Sequence, residues 1–490
     1  MKSRSKVSGQ ELFSIYSHNL HSLIDAEGEY VIEKIEAIDL LNFNRLDIVA
    51  KYVFSLFRFN EIESDFARNM YLEHIKVFNN FVEADSSMKV GANDFVNSFE
   101  SLCDSLREQG FDSNKPVPIS SNGTILDGAH RVGASLALGY SLDVVRLSAE
   151  APCFDYRFFR GRGLSEGCLD YLALEYARLK SATRMVVLWP TAQRHQSEVE
   201  RILGKYGDIS YFKEVYLNEQ GAHNFVTVAY KREAWVGTVK DGFSGAENKA
   251  NCCFEGSGPV RVFLFEPNQC GNLIKMKDEI RGVFRVGKHS IHVNDTHEET
   301  VEISQYLLNS NSVTLLNAGV KRELHWFNKL FSHYISWMNS KNLNANDFCV
   351  DGSGTLAAYG IRDVRDLDFF YGKKAIPDTG FKEIDCHNDE HDHVGLTPSD
   401  IIYNPYNHFY FKGLKFASID LIRCLKMRRN EPKDQEDVHA ITLLLAGQVV
   451  EVPIIERIKK NMRPRYLKAK LKLIALKVRY YLVRLKEGIR

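Results

Sequence analysis

The sequence VDGSGTLAAYGIRDVRDLDFFYG, residues 350–372, contains the pattern that indicates a fold most directly. Gly352 and Ser353 come just before a short predicted helix, and Asp366-Leu367-Asp368 follows on a predicted strand. Side chains at i and i+2 of a strand share one face, so both carboxylates can bind the same metal ions. Phosphoryl and nucleotidyl transfer use such carboxylates to hold Mg²⁺ against a triphosphate, and a Gly-Ser turn offers N–H groups and a hydroxyl to a phosphate. The stretch therefore predicts a Mg²⁺-dependent transfer site.

A second stretch downstream, LKMRRNEPKDQEDV at residues 425–438, contains a Lys, an arginine-rich turn and a Lys-Asp-x-x-Asp sequence. With Gly-Ser and Asp-x-Asp upstream, it resembles the nucleotidyltransferase superfamily with the polymerase-β-type fold, over about residues 318–448. The resemblance implies that this region binds an NTP together with Mg²⁺. The residues that it assigns to the triphosphate are Gly352, Ser353, Lys426 and Lys433, and those that it assigns to the metal are Asp366 and Asp368.

The same family pattern contains a third catalytic carboxylate, whose position is open in this sequence. Asp400, in SDIIYNP on a predicted later strand, is the first choice, and Asp385 is the second. HNDEHDH, residues 387–393, contains metal-binding residue types, but its spacing is more typical of a solvated loop.

Another informative stretch lies at residues 102–145, where PVPIS, a Ser-Asn-Gly turn and TILDG lead into the predicted helix HRVGASLALG. The sequence Asp127-Gly128-Ala129-His130-Arg131 falls where a strand turns into a helix. The helix N-terminus attracts anions, and Arg131 can bind a phosphate through two N–H groups. His130 can add a hydrogen bond or move a proton. The residues predict a phosphate site without a P-loop.

This order of elements resembles the ParB/sulfiredoxin-like fold, over about residues 75–150. The resemblance implies binding of ATP or CTP through Asp127, Gly128, His130 and Arg131. Members that are kinases use an acidic residue early in the fold, and Glu83 or Asp85 is the candidate here. Ala129 stands where sulfiredoxin has a Cys, which disfavours reductase activity. No basic helix-turn-helix follows, which disfavours DNA partition, and nucleic acid is not an expected partner.

Composition bounds the class of protein. The 490 residues contain 63 Lys+Arg and 63 Asp+Glu, so net charge indicates no partner. The nine cysteines form no Cys-x-x-Cys pair, which argues against a disulfide framework or a structural zinc site. No run of about 18 apolar residues is present, and MKSRSKVSGQELF lacks the apolar core of a signal peptide. We expect a soluble, cytoplasmic, multidomain protein.

The C-terminal end has a different charge from the rest. From Arg457 to Arg490 there are thirteen Lys or Arg and a single acid, Glu487. Leucine, isoleucine and valine repeat along one helical stripe over residues 464–486, with cations on the other faces. A basic amphipathic helix is typical of weak contact with a membrane surface, here the inner face of the membrane, or of packing on an acidic body.

The periodicity predicts an α/β protein (α+β and multidomain). Apolar residues at helical spacing in EKIEAIDLLNFNRLDIVAKYVFSLF, residues 33–57, predict helix, whereas RMVVLWP and FVTVAYKR predict central strands. The predicted domains are a helical N-terminal region 1–74, a ParB/sulfiredoxin-like domain 75–160, a central α/β domain 161–315, a nucleotidyltransferase-like domain 316–450 and the basic helix 451–490.

The favoured function is a Mg²⁺-dependent nucleotidyltransferase whose ParB-like domain binds NTP and acts as a kinase. Such a pair would phosphorylate and then activate a small sugar or polyol, by analogy for surface-polysaccharide synthesis. The alternatives are an NTP-gated protein that binds nucleic acid or another partner, and a toxin or antiviral enzyme that nucleotidylates a protein or tRNA.

Overall fold

The computed structural model describes residues 6–83, 89–269, 271–389 and 395–448. In these ranges it shows a mixed α/β protein with three separate β-sheets, which confirms the predicted fold class. Within the same ranges, every helix is too short or too polar to cross a membrane. The predicted basic helix at 464–486 lies outside the described residues.

The first sheet has four strands in the order β1-β2-β4-β3, with β2 and β4 antiparallel and β3 and β4 parallel. Its strands are β1 Lys6–Ser8, β2 Glu29–Glu36, β3 Val117–Ile119 and β4 Ser141–Arg146. The helices of this part are α1 Gly9–Ile15, α2 His18–His21, α3 Asp47–Phe59, α4 Phe66–Asn79, α5 Ala92–Gln109, α6 Ala129–Leu138 and α7 Tyr156–Gly161.

The helix prediction for the N-terminal region is wrong at β1 and β2. β2 pairs with β4 from Ile32↔Val145 to Glu36↔Ser141, and its side chains alternate between the two faces of the sheet. Tyr30 and Ile32 are partly buried and Val31 between them is exposed, which is the half-covered surface that suits β-branched and aromatic residues. The helical spacing of the longer stretch concealed this alternation. The helix begins only at Asp47. Strands from both sides of the predicted border at 74/75 therefore share one sheet.

The second sheet has the order β6-β7-β5-β8 and is antiparallel throughout. Its strands are β5 Arg184–Leu188, β6 Gly207–Val215, β7 Val260–Pro267 and β8 Ile291–Val293. The helices are α8 Glu166–Leu179, α9 Gln196–Tyr206, α10 Glu219–Ala229, α11 Ser244–Cys253, α12 Leu273–Phe284, α13 His297–Leu307 and α14 Ser310–Ala318. The predicted strand FVTVAYKR is wrong, because its first residues form the end of α10.

The third sheet has five strands in the order β11-β10-β9-β13-β12. Its strands are β9 Phe348–Val350, β10 Leu367–Tyr371, β11 Ile384–Cys386, β12 His408–Phe411 and β13 Leu414–Ala417. The helices are α15 His325–Ser340, α16 Gly352–Ala358, α17 Pro398–Tyr403, α18 Ile419–Arg429 and α19 Pro432–Leu445. By contacts, residues 1–438 form one compact unit and a second unit begins at His439, of which residues 439–448 are described.

Helix α8 is buried along ten consecutive residues, 168–177. Its polar side chains are paired: Asp170 accepts hydrogen bonds from Tyr211 (2.8 Å) and Lys213 (2.5 Å) of β6. Arg178 donates one to the Tyr410 hydroxyl of β12 (3.1 Å). A buried polar group costs free energy unless it is hydrogen-bonded, so these contacts fix α8 between the second and third sheets.

A buried ion triad lies at the start of helix α3, which packs on α6. Asp47 lies 2.8 Å from Arg45 Nε and 3.0 Å from Lys51 Nζ, and the three side chains are at most 4% exposed. Burial raises the pKa of Asp47, but the adjacent Arg45 and Lys51 charges outweigh it and hold the pKa well below its ordinary value. The carboxylate therefore stays ionised and compensates two buried cations.

We expect Asp47→Asn to lower the free energy of unfolding by about 3–5 kcal/mol, because it leaves both cations uncompensated. Glu29→Gln, at an exposed ion pair with Lys6, should leave it unchanged. Because the folded-state pKa of Asp47 is depressed, its contribution is present above the ordinary value of 3.8 and is lost as pH falls below it. Urea denaturation at pH 7 and pH 3 gives the free energy of unfolding of both variants. Equal stabilities of the two variants at pH 7 would contradict the stabilising role of Asp47.

Candidate functional site

The turn from β9 into α16 is built from glycines. Gly352 has φ 55°, in the left-handed region that glycine adopts without strain. A methyl group on Gly354 would lie 2.5 Å from Val350 Cγ1, so the first turn of α16 packs directly on β9. A methyl group on Gly352 would lie 3.5 Å from Asp368 Oδ2. The turn therefore passes directly beside this carboxylate.

The two predicted metal-binding aspartates lie at the start of β10, Asp366 at the end of the preceding loop and Asp368 on the strand. β9 and β10 are antiparallel, and the Asp351 backbone N–H donates to the Asp368 carbonyl (2.8 Å). The Ser353 hydroxyl donates to the Asp366 carbonyl (3.1 Å). The Asp366 side chain is exposed at the end of the loop, and that of Asp368 is 15% exposed. The structure thus brings Gly352, Ser353, Asp366 and Asp368 together.

Two further residues belong to this group and were not predicted. His387 lies with Nε2 3.3 Å from Asp368 Oδ1 and with Nδ1 3.9 Å from Asp351 Oδ2. The Asp351 side chain is 6% exposed and that of His387 is 24% exposed. His387 is thus a partly buried residue of the HNDEHDH stretch, of which residues 390–393 lie outside the described ranges. The position of Asp351 directly before Gly-Ser was the one available sequence signal for it.

The first choice for the third carboxylate, Asp400, is not on a strand. It lies in α17, where its carboxylate accepts hydrogen bonds from the Thr397 backbone N–H (3.2 Å) and hydroxyl (2.9 Å). Thr397-Pro398-Ser399-Asp400 forms a capping box with proline at the first turn, which begins a helix. The second choice, Asp385, lies on β11 directly opposite Asp368 in a parallel pairing. Asp385 is therefore the carboxylate that the sheet places next to the site.

The Lys-Asp-x-x-Asp sequence forms ion pairs between α18 and α19. Lys426 Nζ lies 3.1 Å from Asp434 Oδ1 and 2.9 Å from Asp437 Oδ2, and the Lys426 side chain is 4% exposed. Arg429 also pairs with Asp434 (2.7 Å). Lys433, by contrast, is exposed and lies 3.2 Å from Glu431. The structure gives Lys426 a structural pairing, and it leaves Lys433 as the lysine of this motif that reaches solvent.

This ion network also holds the loop that leads into β10. Arg362 binds Asp437 through two hydrogen bonds, Nε–Oδ1 at 2.7 Å and Nη2–Oδ2 at 2.9 Å. The next residue, Asp363, caps α15 by accepting from the Phe327 backbone N–H (2.8 Å). Burial lowers the pKa of Arg362, but Asp437 and then Asp366 raise it above the ordinary value. The loop is thus fixed a few residues before Asp366.

The stretch Asp127–Arg131, which the sequence predicted as a phosphate site, lies at the start of α6. Gly128 has φ 85° and precedes the helix, and its backbone N–H donates to Asp127 Oδ1 (2.6 Å). The Arg131 guanidinium folds over Gly128, since a methyl group there would lie 2.8 Å from Nη2. Arg131 Nη1 also donates to the Lys115 carbonyl. Glycine is favoured here because its left-handed backbone conformation strains other residues, and a side chain would also shift the Arg131 guanidinium.

His130 points to the interior beside this turn. Its Nε2 lies 2.9 Å from the Tyr71 hydroxyl, and its ring packs edge-on against Phe99. Burial, followed by the Lys51 charge, lowers the pKa of His130 well below its ordinary value, so the ring is neutral at pH 7. Glu83 pairs with Lys89 (2.7 Å). Burial raises the pKa of Tyr71, and the Glu83 charge raises it further. Glu83 and His130 therefore share Tyr71 as a neighbour, whereas Asp85 lies outside the described residues.

In the described parts of the chain, no group of three or more His, Cys, Asp or Glu is gathered closely enough to hold a metal ion by itself. Asp366 and Asp368 instead offer two carboxylates beside a turn. Mg²⁺ is commonly bound by one or two carboxylates together with substrate phosphates and water, so the residues fit a metal that binds with a nucleotide.

Asp437→Asn should lower the free energy of unfolding by about 3 kcal/mol, because it removes the partner of Arg362 and one partner of buried Lys426. Lys433→Ala, at the exposed lysine of the same motif, should leave it unchanged. Chemical denaturation of both variants measures the difference. A stable Asp437→Asn protein would show that the motif does not hold the loop before β10.

No family model matches the chain, and no curated protein and no solved structure is significantly similar to it.

Proposed function

We propose that the chain is a Mg²⁺-dependent nucleotidyltransferase that acts on a small phosphorylated acceptor. The observation that carries this proposal is the joining of the Gly-Ser turn to the Asp-x-Asp strand: Ser353 donates to Asp366, and Gly352 lies against Asp368. A phosphate-binding turn and a pair of carboxylates at one place are what an NTP with Mg²⁺ requires.

The roles of the residues follow from their chemistry. The backbone at Gly352 and the Ser353 hydroxyl bind the triphosphate, and Asp366 and Asp368 hold Mg²⁺. The metal, when bound, neutralises charge on the phosphates that leave. His387 and Asp351 flank Asp368 and limit the directions that its carboxylate can take. Asp385, on the neighbouring strand, is the candidate for the third carboxylate.

In the proposed reaction an oxygen of the acceptor attacks the α-phosphorus of the NTP. The new P–O bond forms as the bond from the α-phosphorus to the bridging oxygen of the β-phosphate breaks, and pyrophosphate leaves with that electron pair. A phosphate monoester has a second pKa near 6 and is already ionised at pH 7, so an acceptor phosphate needs no base to remove a proton. This favours a phosphorylated sugar or polyol over its free alcohol.

The ParB-like part is proposed to supply that acceptor. Asp127, Gly128 and Arg131 surround a helix N-terminus that can receive the phosphates of ATP or CTP. Glu83, whose charge acts on Tyr71, would accept the proton of a substrate hydroxyl as the hydroxyl takes the γ-phosphoryl group. NDP is the other product. The phosphorylated product then becomes the acceptor of the second reaction.

Asp366→Asn and Asp368→Asn should each lower pyrophosphate release by about 1000-fold or more, because several kcal/mol of metal-dependent stabilisation is lost. Asp420→Asn, an exposed first-turn residue of α18 in the same region, is the matched control and should keep full activity. The assay supplies each NTP with Mg²⁺ and a pool of phosphorylated and free sugars and polyols, and mass spectrometry identifies new nucleotide-linked products. Full activity in either active-site variant would exclude this site, and tight NTP binding without turnover in the wild type would favour the NTP-gated binding protein.

His130→Ala should abolish NDP release from NTP and a free sugar or polyol, while pyrophosphate release with a phosphorylated acceptor continues. The proposed kinase reaction uses His130 and its neighbours, whereas the proposed nucleotidyl transfer uses Gly352, Ser353, Asp366 and Asp368. Separation of NDP and pyrophosphate by ion-exchange chromatography measures both in one sample. Loss of both products, or of neither, would contradict the assignment of two independent sites.

A further inference from the structure

A cluster of polar and aromatic side chains in the second sheet is used by neither proposed site. It lies where the end of β5, strand β8, the end of α10 and helix α11 meet. Its members are Trp189, Tyr230, Lys249, His289 and His292, with Trp235 at the edge. Trp189 is fully buried, Trp235 is 44% exposed, and the other four side chains are partly buried, so the cluster runs from the core to the surface.

Direct contacts join these side chains. Lys249 Nζ lies 3.4 Å from His289 Nδ1 and donates to the Lys288 carbonyl (2.8 Å). Lys249 Nζ also lies 5.7 Å from the Tyr230 ring centroid, and the Tyr230 and His292 rings are 4.6 Å apart. The Trp235 ring lies 5.1 Å from that of Tyr230 on the outer side. The Lys249 ammonium, two imidazoles and two aromatic rings therefore lie close together in this cluster.

One buried polar atom of the cluster, Nε2 of His292, lacks a hydrogen-bond partner among the described residues. A buried polar atom without a hydrogen bond costs free energy, and such atoms in folded proteins commonly meet a ligand or water. Burial lowers the pKa of His292 to about 4, so the ring is neutral at pH 7 and can donate one N–H.

The charge at the cluster favours an anion. Within the described residues, no carboxylate lies within ion-pair distance of Lys249 Nζ, whereas the nearby Arg281 is paired with Asp278 (2.9 Å). The Lys277 charge also lowers the pKa of His292, and Lys277 Nζ lies 3.7 Å from the exposed Asp295. Glu255 is the acidic residue that faces His289. The Lys249 ammonium, which contacts the Lys288 carbonyl, His289 and Cys253, thus carries a positive charge that no described carboxylate neutralises.

We propose that this cluster binds the phosphoryl group of a small phosphorylated molecule. Lys249 and the imidazoles of His289 and His292 hold the phosphate oxygens, because charge-assisted hydrogen bonds are the strong ones. The Tyr230 and Trp235 rings cover the carbon skeleton next to it. The site itself does not depend on nucleotidyl transfer. Its ligand is the acceptor of that transfer only if the proposed function holds.

Isothermal titration of the full chain, without nucleotide and without Mg²⁺, measures phosphate binding, and the Lys249 variant assigns that binding to this cluster. The probes are inorganic phosphate and glucose 1-phosphate, with glucose and sodium chloride at equal ionic strength as controls. The wild type should bind both phosphates and neither control. Lys249→Ala should weaken that binding by about tenfold or more, since a charge-assisted contact is lost.

The matched control is Lys205→Ala. Lys205 lies on α9, beside the second sheet, and its exposed side chain pairs with Glu279 (2.8 Å). It should bind like the wild type. Asp368→Asn should also bind like the wild type, whatever its effect on pyrophosphate release, which separates this site from the proposed function. His292→Gln, checked for folding by thermal unfolding, gives a second variant with weakened binding. Equal affinity in Lys249→Ala and Lys205→Ala, or no phosphate binding by the wild type, would overturn the proposal.

Discussion

The two ion pairs of Asp437 are the constraint on which the candidate nucleotidyl-transfer site depends. One binds Arg362 in the loop before β10 and the other binds Lys426 in α18. The adjacent Asp363 fixes the same loop to the start of α15. Between these anchors and β10, the chain has little freedom, so the carboxylate of Asp366 comes to the Gly-Ser turn at a defined position. A catalytic group must be held by such supporting contacts to be useful.

Helix α8 connects two of the sheets through its polar side chains. Its buried Asp170 is bound to the second sheet, and its Arg178 is bound to the third. Paired buried charges of this kind are costly to separate, because the partner left behind remains desolvated. The cluster proposed to bind a phosphoryl group and the Gly-Ser turn are therefore carried by sheets that are fixed to one helix.

Local patterns predicted much of this fold. Gly-Ser and Asp-x-Asp are short motifs whose geometry is set within β9, α16 and β10, and the structure places them together as expected. The start of α6 at Gly128 was also predictable, because turn and capping residues act locally. The ion pairs of Lys426 could not be predicted from the sequence, because the same motif fits a lysine that binds a phosphate and a lysine that pairs with Asp434.

The remaining errors come from contacts between distant residues. β2 was read as helix because its pairing with β4, more than 100 residues later, cannot be seen in its own sequence. FVTVAYKR has β-branched residues but forms a helix end against α11 and α14. His387 reaches Asp368 only because β11 pairs in parallel with β10. Asp400 is different, since Thr-Pro-Ser-Asp was a readable helix start.

The most direct test of the central claim is a crystal structure of the full chain with Mg²⁺ and a non-hydrolysable NTP analogue. We expect a metal ion bound by carboxylate oxygens of both Asp366 and Asp368, with the triphosphate against Gly352 and Ser353. A nucleotide bound only at Gly128, with Asp366 and Asp368 free of metal, would contradict it.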